Sequence, residues 1–152
     1  MTSLLPTVFP TDYSLVVATG TLGVYSLLTF QSITVSKARK IANVEYPAPY
    51  AENSEAKRDI KAKKFNCAQR AHANTLENLP IFLLSLFHSG FYHPRLAAAG
   101  GLIWLAGRVA YTVGYSSGDP AKRQAGVFGY IGYLPMFLFS SYKAVTSLPF
   151  FN

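Results

Sequence analysis

The sequence predicts an all-α polytopic membrane protein, a bundle of four transmembrane helices forming one domain over residues 1–152. Three observations carry this. Half of the residues are apolar and only 14% are charged, against roughly 25% in soluble domains. The charges are segregated: none falls in the 24 residues between Asp12 and Lys37, the 19 between Arg123 and Lys143, or the 17 between Glu77 and Arg95. And eight of the 14 Lys and Arg crowd into one stretch, Lys37–Lys64. A span needs about 20 mostly apolar residues to cross a bilayer, whereas a soluble bundle would set charge on the outer face of every helix.

The elements follow in order. Residues 1–12 form a short tail with two prolines. The first helix is expected over about 13–35, with Gly20 and Gly23 as a small patch for close helix contact. It reads as a span rather than a cleavable signal, being too long and preceded by Asp12 instead of a basic cluster. Residues 36–64 make a long loop in which Pro47 and Pro49 break helix, and the charged run Glu55–Lys64 forms a short surface helix or stays partly disordered. The second helix is expected over about 66–91, kinked at Pro80. His93-Pro94-Arg95 is a tight turn, which makes the second and third helices antiparallel neighbours. The third helix is expected over about 96–115, interrupted only by Arg108. Gly118-Asp119-Pro120 signals a turn, and the fourth helix, about 123–142, carries Gly126, Gly129 and Gly132.

Loops rich in Lys and Arg stay on the cytosolic side of a membrane. The basic residues of 36–64, with Lys122 and Arg123 in the second loop on that side, place both loops in the cytosol and both termini on the lumenal side. Protease added to sealed microsomes should therefore cut within 36–64. A protected loop with a cleaved N-terminus would reverse the orientation. The net charge of +7 belongs to these loops and not to a nucleic-acid site, which would need a basic face with stacking aromatics. A single cysteine, Cys67, excludes an internal disulfide and reads as a small buried hydrophobe.

Chemistry is expected where the second helix breaks the rule for a lipid span. It carries Asn66, Arg70, Asn74 and Glu77. At about 100° per residue, Arg70, Asn74 and Glu77 share one stripe, while Gln69 and His72 point elsewhere. Ionisable groups inside spans face a cavity or a partner. The alternative is an internal Arg70–Glu77 network that only ties helices together. On the third helix, Trp104, Arg108, Tyr111, Thr112 and Tyr115 share a face. Tyr111 and Tyr115 also suit an aromatic belt, and Arg108 suits an internal partner such as Glu77 or a carbonyl. With Arg39 and Arg123 in the adjoining turns, these residues describe a cationic pocket near the cytosolic membrane surface. Such a pocket fits a small ligand with several carboxylates. His72, His88 and His93 lack ligand spacing, so no metal is expected, and no glycine-rich phosphate loop occurs.

The stretch from Phe65 to Glu77, Phe-Asn-Cys-Ala-Gln-Arg-Ala-His-Ala-Asn-Thr-Leu-Glu, closely resembles the signature of the MAPEG family, the membrane-associated proteins in eicosanoid and glutathione metabolism. It is most similar to the microsomal glutathione S-transferase 3 subgroup. Val35–Lys40, Val44–Pro47, Tyr92–Arg95 and Gly107–Val109 support it. The resemblance implies a homotrimer of four-helix subunits, housed in the endoplasmic reticulum or alternatively the mitochondrial outer membrane, with glutathione bound between subunits. By position, it implies glutathione contacts from Arg70, Asn74, Glu77, Arg108, Tyr111 and Tyr115, and from Arg39 of a neighbouring subunit. Arg123 would stabilise the glutathione thiolate. The turn before it is about one residue longer than in other branches of the family, which leaves Lys122 as a competitor. The charged insert 51–64 also exceeds the family pattern, and its contacts are unassigned.

The implied activity is conjugation of glutathione to lipophilic electrophiles, reduction of lipid hydroperoxides with glutathione, or both. The partners are then glutathione as co-substrate, an apolar co-substrate, membrane lipid and further copies of the chain. A non-catalytic lipid-binding scaffold of the same family is the alternative; retention of Arg70, Asn74, Glu77 and Arg123 opposes it. A small channel or transporter fits less well, because the first and fourth helices carry no polar stripe.

Overall fold

Thirty residues, Tyr13–Ala42, form the first helix, α1, in the computed structural model, which describes residues 9–151. Residues 1–8 of the expected tail lie outside the described residues. A wider π-type turn at Thr19–Gly23 interrupts α1 without ending it. The expected end near Val35 is corrected by seven residues. Lys37, Arg39 and Lys40 mark the edge of the apolar stretch, and charge does not break helical hydrogen bonding. The helix stops instead at Asn43, in the left-handed region at φ 55°, whose N–H closes on the Arg39 and Lys40 carbonyls.

Residues 43–52 then form a strap across the end of the bundle. Helix α2, Asn53–Arg58, follows, and α3 runs over Ile60–Tyr92. The charged run Glu55–Lys64 is thus helical and divided between two helices. Helix α3 starts six residues before the expected position because Asp59 caps it: its carboxylate accepts the Lys61 N–H at 2.8 Å. At 1.5 Å per residue, its 33 residues extend about 50 Å, well beyond a hydrocarbon layer of about 30 Å. The helix continues unbroken through Pro80, which deprives the Leu76 carbonyl of its usual donor.

Only His93 separates α3 from α4, Pro94–Ser116, so the two helices run antiparallel in close contact. Pro94 occupies the first helical turn, where its missing N–H costs nothing. The fourth long helix, α5, spans Gly129–Thr146 and not 123–142. Residues Pro120–Gly126, including Arg123, form a 3₁₀ segment capped by Asp119, which accepts the Ala121 N–H at 3.0 Å. The three glycines at 126, 129 and 132 let this region lie directly on the α4 backbone. A Cβ on Gly107 would stand 2.6 Å from the Gly129 Cα, and one on Gly100 would stand 2.9 Å from the Gly132 oxygen. Contact of this closeness, more than helix propensity, sets where the chain turns.

The described residues contain no strand. Of their four long helices, Tyr13–Ala42 and Pro94–Ser116 have the length and apolarity needed to cross a bilayer. Large apolar side chains point outward on all four, among them Leu22, Leu84, Leu102 and Ile131, a distribution that a water-exposed bundle does not carry. Inside, Phe82 and Trp104 stack at 3.8 Å between α3 and α4. A second small core of Ala42, Ala51, Ala62 and Phe65 holds the strap down.

Candidate functional site

The polar stripe of the second expected helix lies on α3, and its two ends behave differently. Arg70 and Glu77, two turns apart, form a forked ion pair with N···O distances of 2.6 and 3.2 Å. Their side chains remain 47% and 52% exposed. This is an outward-facing pair on a helix that also exposes Leu76, Ile81 and Leu84. Asn74, between them, turns instead towards α4.

There it meets Arg108, which sits in the middle of α4 with only 8% of its surface exposed. Arg108 is not paired with Glu77 or with a carbonyl. Its Nη2 donates to Asn74 Oδ1 at 3.0 Å and to Thr75 Oγ1 at 2.8 Å, and its Nε donates to Thr75 Oγ1 at 3.1 Å. Its guanidinium carbon lies 4.2 Å from the centre of the Tyr111 ring. Every one of these partners is neutral, and no carboxylate pairs with Arg108 among the described residues. A buried cation without an anion is costly. The arrangement therefore favours an anionic guest in contact with it.

A cleft of about 250 Å³ opens beside Arg108, lined also by Asn74, Trp104, Tyr111, Arg123 and Tyr130. Arg123 reaches it from the 3₁₀ segment, its guanidinium carbon 5.9 Å from the Tyr115 ring centre. Tyr115 and Tyr111 meet edge to face at 5.6 Å. Lys122 does not line this cleft; its backbone carbonyl packs on Gly114. A second, wider cleft of about 620 Å³ lies under the strap, bordered by Tyr50, Lys57, Lys63, Cys67, Arg70 and Tyr115. Tyr115 borders this second cleft and, through the Arg123 and Tyr111 contacts, stands beside the first.

Asn66 and Arg39 serve the strap. The Asn66 amide pairs with both backbone groups of Ala51, accepting its N–H at 2.8 Å and donating to its carbonyl at 2.9 Å. Arg39 is buried, donates to the Ala48 carbonyl at 2.8 Å and lies between the rings of Tyr46 and Phe65 at 4.3 and 4.5 Å. Within one chain, Arg39 joins neither cleft. Cys67 is buried at 7% exposure. No grouping of three or more His, Cys, Asp or Glu side chains suited to a metal occurs among the described residues.

Sequence reasoning missed a buried polar layer beneath Arg108. Gln31 of α1, wholly buried, donates to Thr75 and to Thr112, both at 2.8 Å. His72, on the inner side of α3, approaches the Gln31 oxygen at 3.3 Å. The available signal was Gln31 itself, the one amide in the 24 uncharged residues of the first span. Thr112, expected on one face with Arg108 and Tyr111, turns inwards to Gln31 and does not line the cleft.

These side chains stand on three helices and one 3₁₀ segment, yet a single sequence pattern takes them all in. The model of the MAPEG family matches residues 16–142, from before Gln31 to beyond Arg123. Together with the apolar all-helical fold, the match makes this chain a member of the MAPEG family, which includes glutathione transferases and peroxidases.

Proposed function

We propose that this protein is a membrane-bound glutathione transferase of the microsomal glutathione S-transferase 3 type. It conjugates glutathione to lipophilic electrophiles, reduces lipid hydroperoxides, or does both. The observation that carries the reading is Arg108: a buried, preorganised guanidinium with no counter-charge among the described residues, facing a cleft that Arg123 also lines. Glutathione brings two carboxylates and a thiol. Arg70, Asn74, Glu77, Arg108, Tyr111 and Tyr115 hold the carboxylates, amide and ammonium groups, and Arg123 stands where the sulfur charge develops. Lining of the cleft by Arg123, and not by Lys122, favours Arg123 in that role.

The chemistry needs the thiolate. A free thiol ionises near pH 8.5, and a neighbouring arginine lowers that value. The thiolate then forms a carbon–sulfur bond with the electrophile, whose leaving group departs with the displaced electron pair. With a hydroperoxide, two glutathione molecules give the disulfide, an alcohol and water. No metal takes part in either reaction.

Four membrane spans and a homotrimer complete the reading. An ion pair such as Arg70–Glu77 does not face lipid without cost, and its exposure in one chain fits a surface covered by a second copy. Arg39 of that copy would supply a further cation. The endoplasmic reticulum membrane is the expected home. The test is titration calorimetry of the detergent-purified protein with glutathione, followed by turnover with an aryl halide and a lipid hydroperoxide, and mass measurement of the protein–detergent particle. Binding, turnover and a trimeric mass are expected. Binding without turnover would move the protein to the lipid-binding scaffold reading. Absence of binding would overturn the glutathione reading, and a monomeric mass would overturn the shared site.

A further inference from the structure

One assignment of protons around Gln31 keeps every hydrogen bond of the layer. The Thr75 hydroxyl donates to the Ala71 carbonyl at 3.1 Å, and the Thr112 hydroxyl donates to the Arg108 carbonyl at 2.7 Å. Each hydroxyl has one proton, so both can only accept from Gln31. Gln31 must therefore present its NH₂ to the two threonines and its oxygen to His72. His72 in turn carries a proton on Nδ1 to donate to that oxygen. One lone pair of Thr75 is then used by Gln31, and the other is turned to Arg108, which takes it with both Nε and Nη2. Asn74 accepts the remaining Nη2 proton. Nη1, with two N–H groups, has no hydrogen-bond partner among the described residues, and Arg108 borders the cleft. Thr75 and Asn74 thus take the Nε–H and both Nη2 protons, and the Nη1 protons are left without an acceptor among the described residues.

We infer that Gln31 is a positioning residue for the anion site: through Thr75 it holds the Nε–Nη2 edge of Arg108, so that Nη1 is left to donate to a ligand carboxylate or thiolate. Gln31 does not touch the ligand. It lies on α1, while the residues it orients lie on α3 and α4, so it also ties the site's geometry to the packing of three helices. Without it, Thr75 keeps only the Ala71 carbonyl and Arg108 itself as partners, and its hold on Arg108 loosens. Side chains sharing one network couple in this way, and the coupling is measured by a double-mutant cycle.

This inference rests on the glutathione reading above. The experiment compares the full-length protein with Gln31→Leu, Arg108→Met and the double variant. Two quantities are read: the glutathione dissociation constant, and the solvent exchange of the Arg108 Nε–H, followed by NMR on selectively labelled protein without ligand. Gln31→Leu is expected to weaken glutathione roughly 10-fold, the coupling usual within one network, and to speed exchange at Arg108. In the Arg108→Met background, Gln31→Leu should weaken binding no further. An equal loss in both backgrounds would mean that Gln31 only stabilises the bundle, and would overturn the inference. So would unchanged affinity and exchange in Gln31→Leu. If Gln31→Leu does not assemble, Gln31→Met, which keeps the length of the side chain and removes the amide, carries the same cycle. Absence of glutathione binding to the unaltered protein overturns the functional reading and this inference together, whereas affinity indifferent to Gln31 overturns this inference alone.

Discussion

Replacing Arg123 by alanine is expected to lower turnover by about 10²-fold or more, the usual consequence of removing one preorganised charge stabiliser, while glutathione affinity changes little. The separation of the two effects follows from what the group does. In the proposed role, Arg123 interacts most strongly once charge has developed on sulfur, and so acts on the reacting state more than on the bound one. Its place supports this: it lines the cleft beside Arg108 and Tyr111, on a 3₁₀ segment held against α4 by glycine contacts and capped by Asp119. The check is thiolate absorbance of the complex against pH. With Arg123 present the midpoint is expected below the free-thiol value of about 8.5. Without it the midpoint rises towards that value, and the thiolate is lost at neutral pH. Lys122→Ala is the control, expected to leave the titration in place. If Lys122→Ala abolishes thiolate formation while Arg123→Ala does not, the roles of the two neighbours are exchanged. If neither matters, thiolate stabilisation passes to Arg39 or Tyr115.

Arg70→Ala and Glu77→Ala are each expected to weaken glutathione binding by about 30-fold or more in a protein that remains trimeric, because truncating one member of a desolvated charge pair strands the other. In one chain the pair is half exposed, where such pairs contribute little. The effect is therefore expected only if the protein assembles as proposed, with a second copy excluding water from the pair. Calorimetric titration with glutathione, with particle mass measured on the same sample, provides the check. Unchanged binding in a trimeric variant would reduce Arg70 and Glu77 to a structural ion pair.

Much of this protein is legible in its sequence because lipid imposes strong rules. Long uncharged stretches, a Pro at the α3–α4 turn and a polar stripe in an otherwise apolar helix each have few structural solutions. Helix ends were less legible. The loop was expected over 36–64, yet α1 continues to Ala42 and α3 begins at Ile60. The apolar pattern reports where a membrane's hydrocarbon would begin, and helical hydrogen bonding does not stop there. Caps do stop it, and Asn43 and Asp59 supply them through backbone conformation and one side-chain bond.

The sequence by itself determined an all-helical, apolar chain of the MAPEG family and marked Arg70, Asn74, Glu77, Arg108 and Arg123 as the residues in need of explanation. Spacing along single helices singles out Arg70, Asn74 and Glu77, since side chains three, four and seven apart share a face, whereas the family and the role of Arg123 came from the resemblance of Phe65–Glu77 and its neighbouring stretches. Tertiary structure alone decided their partners. It paired Arg70 with Glu77 on the outside and gave Arg108 to Asn74 and Thr75 on the inside. It committed Arg39 to the strap, and it brought Gln31 from 44 residues away to Thr75. Which neutral groups surround a buried charge depends on how three helices rotate against one another, and that rotation is set by glycine contacts and core packing that no single helix encodes.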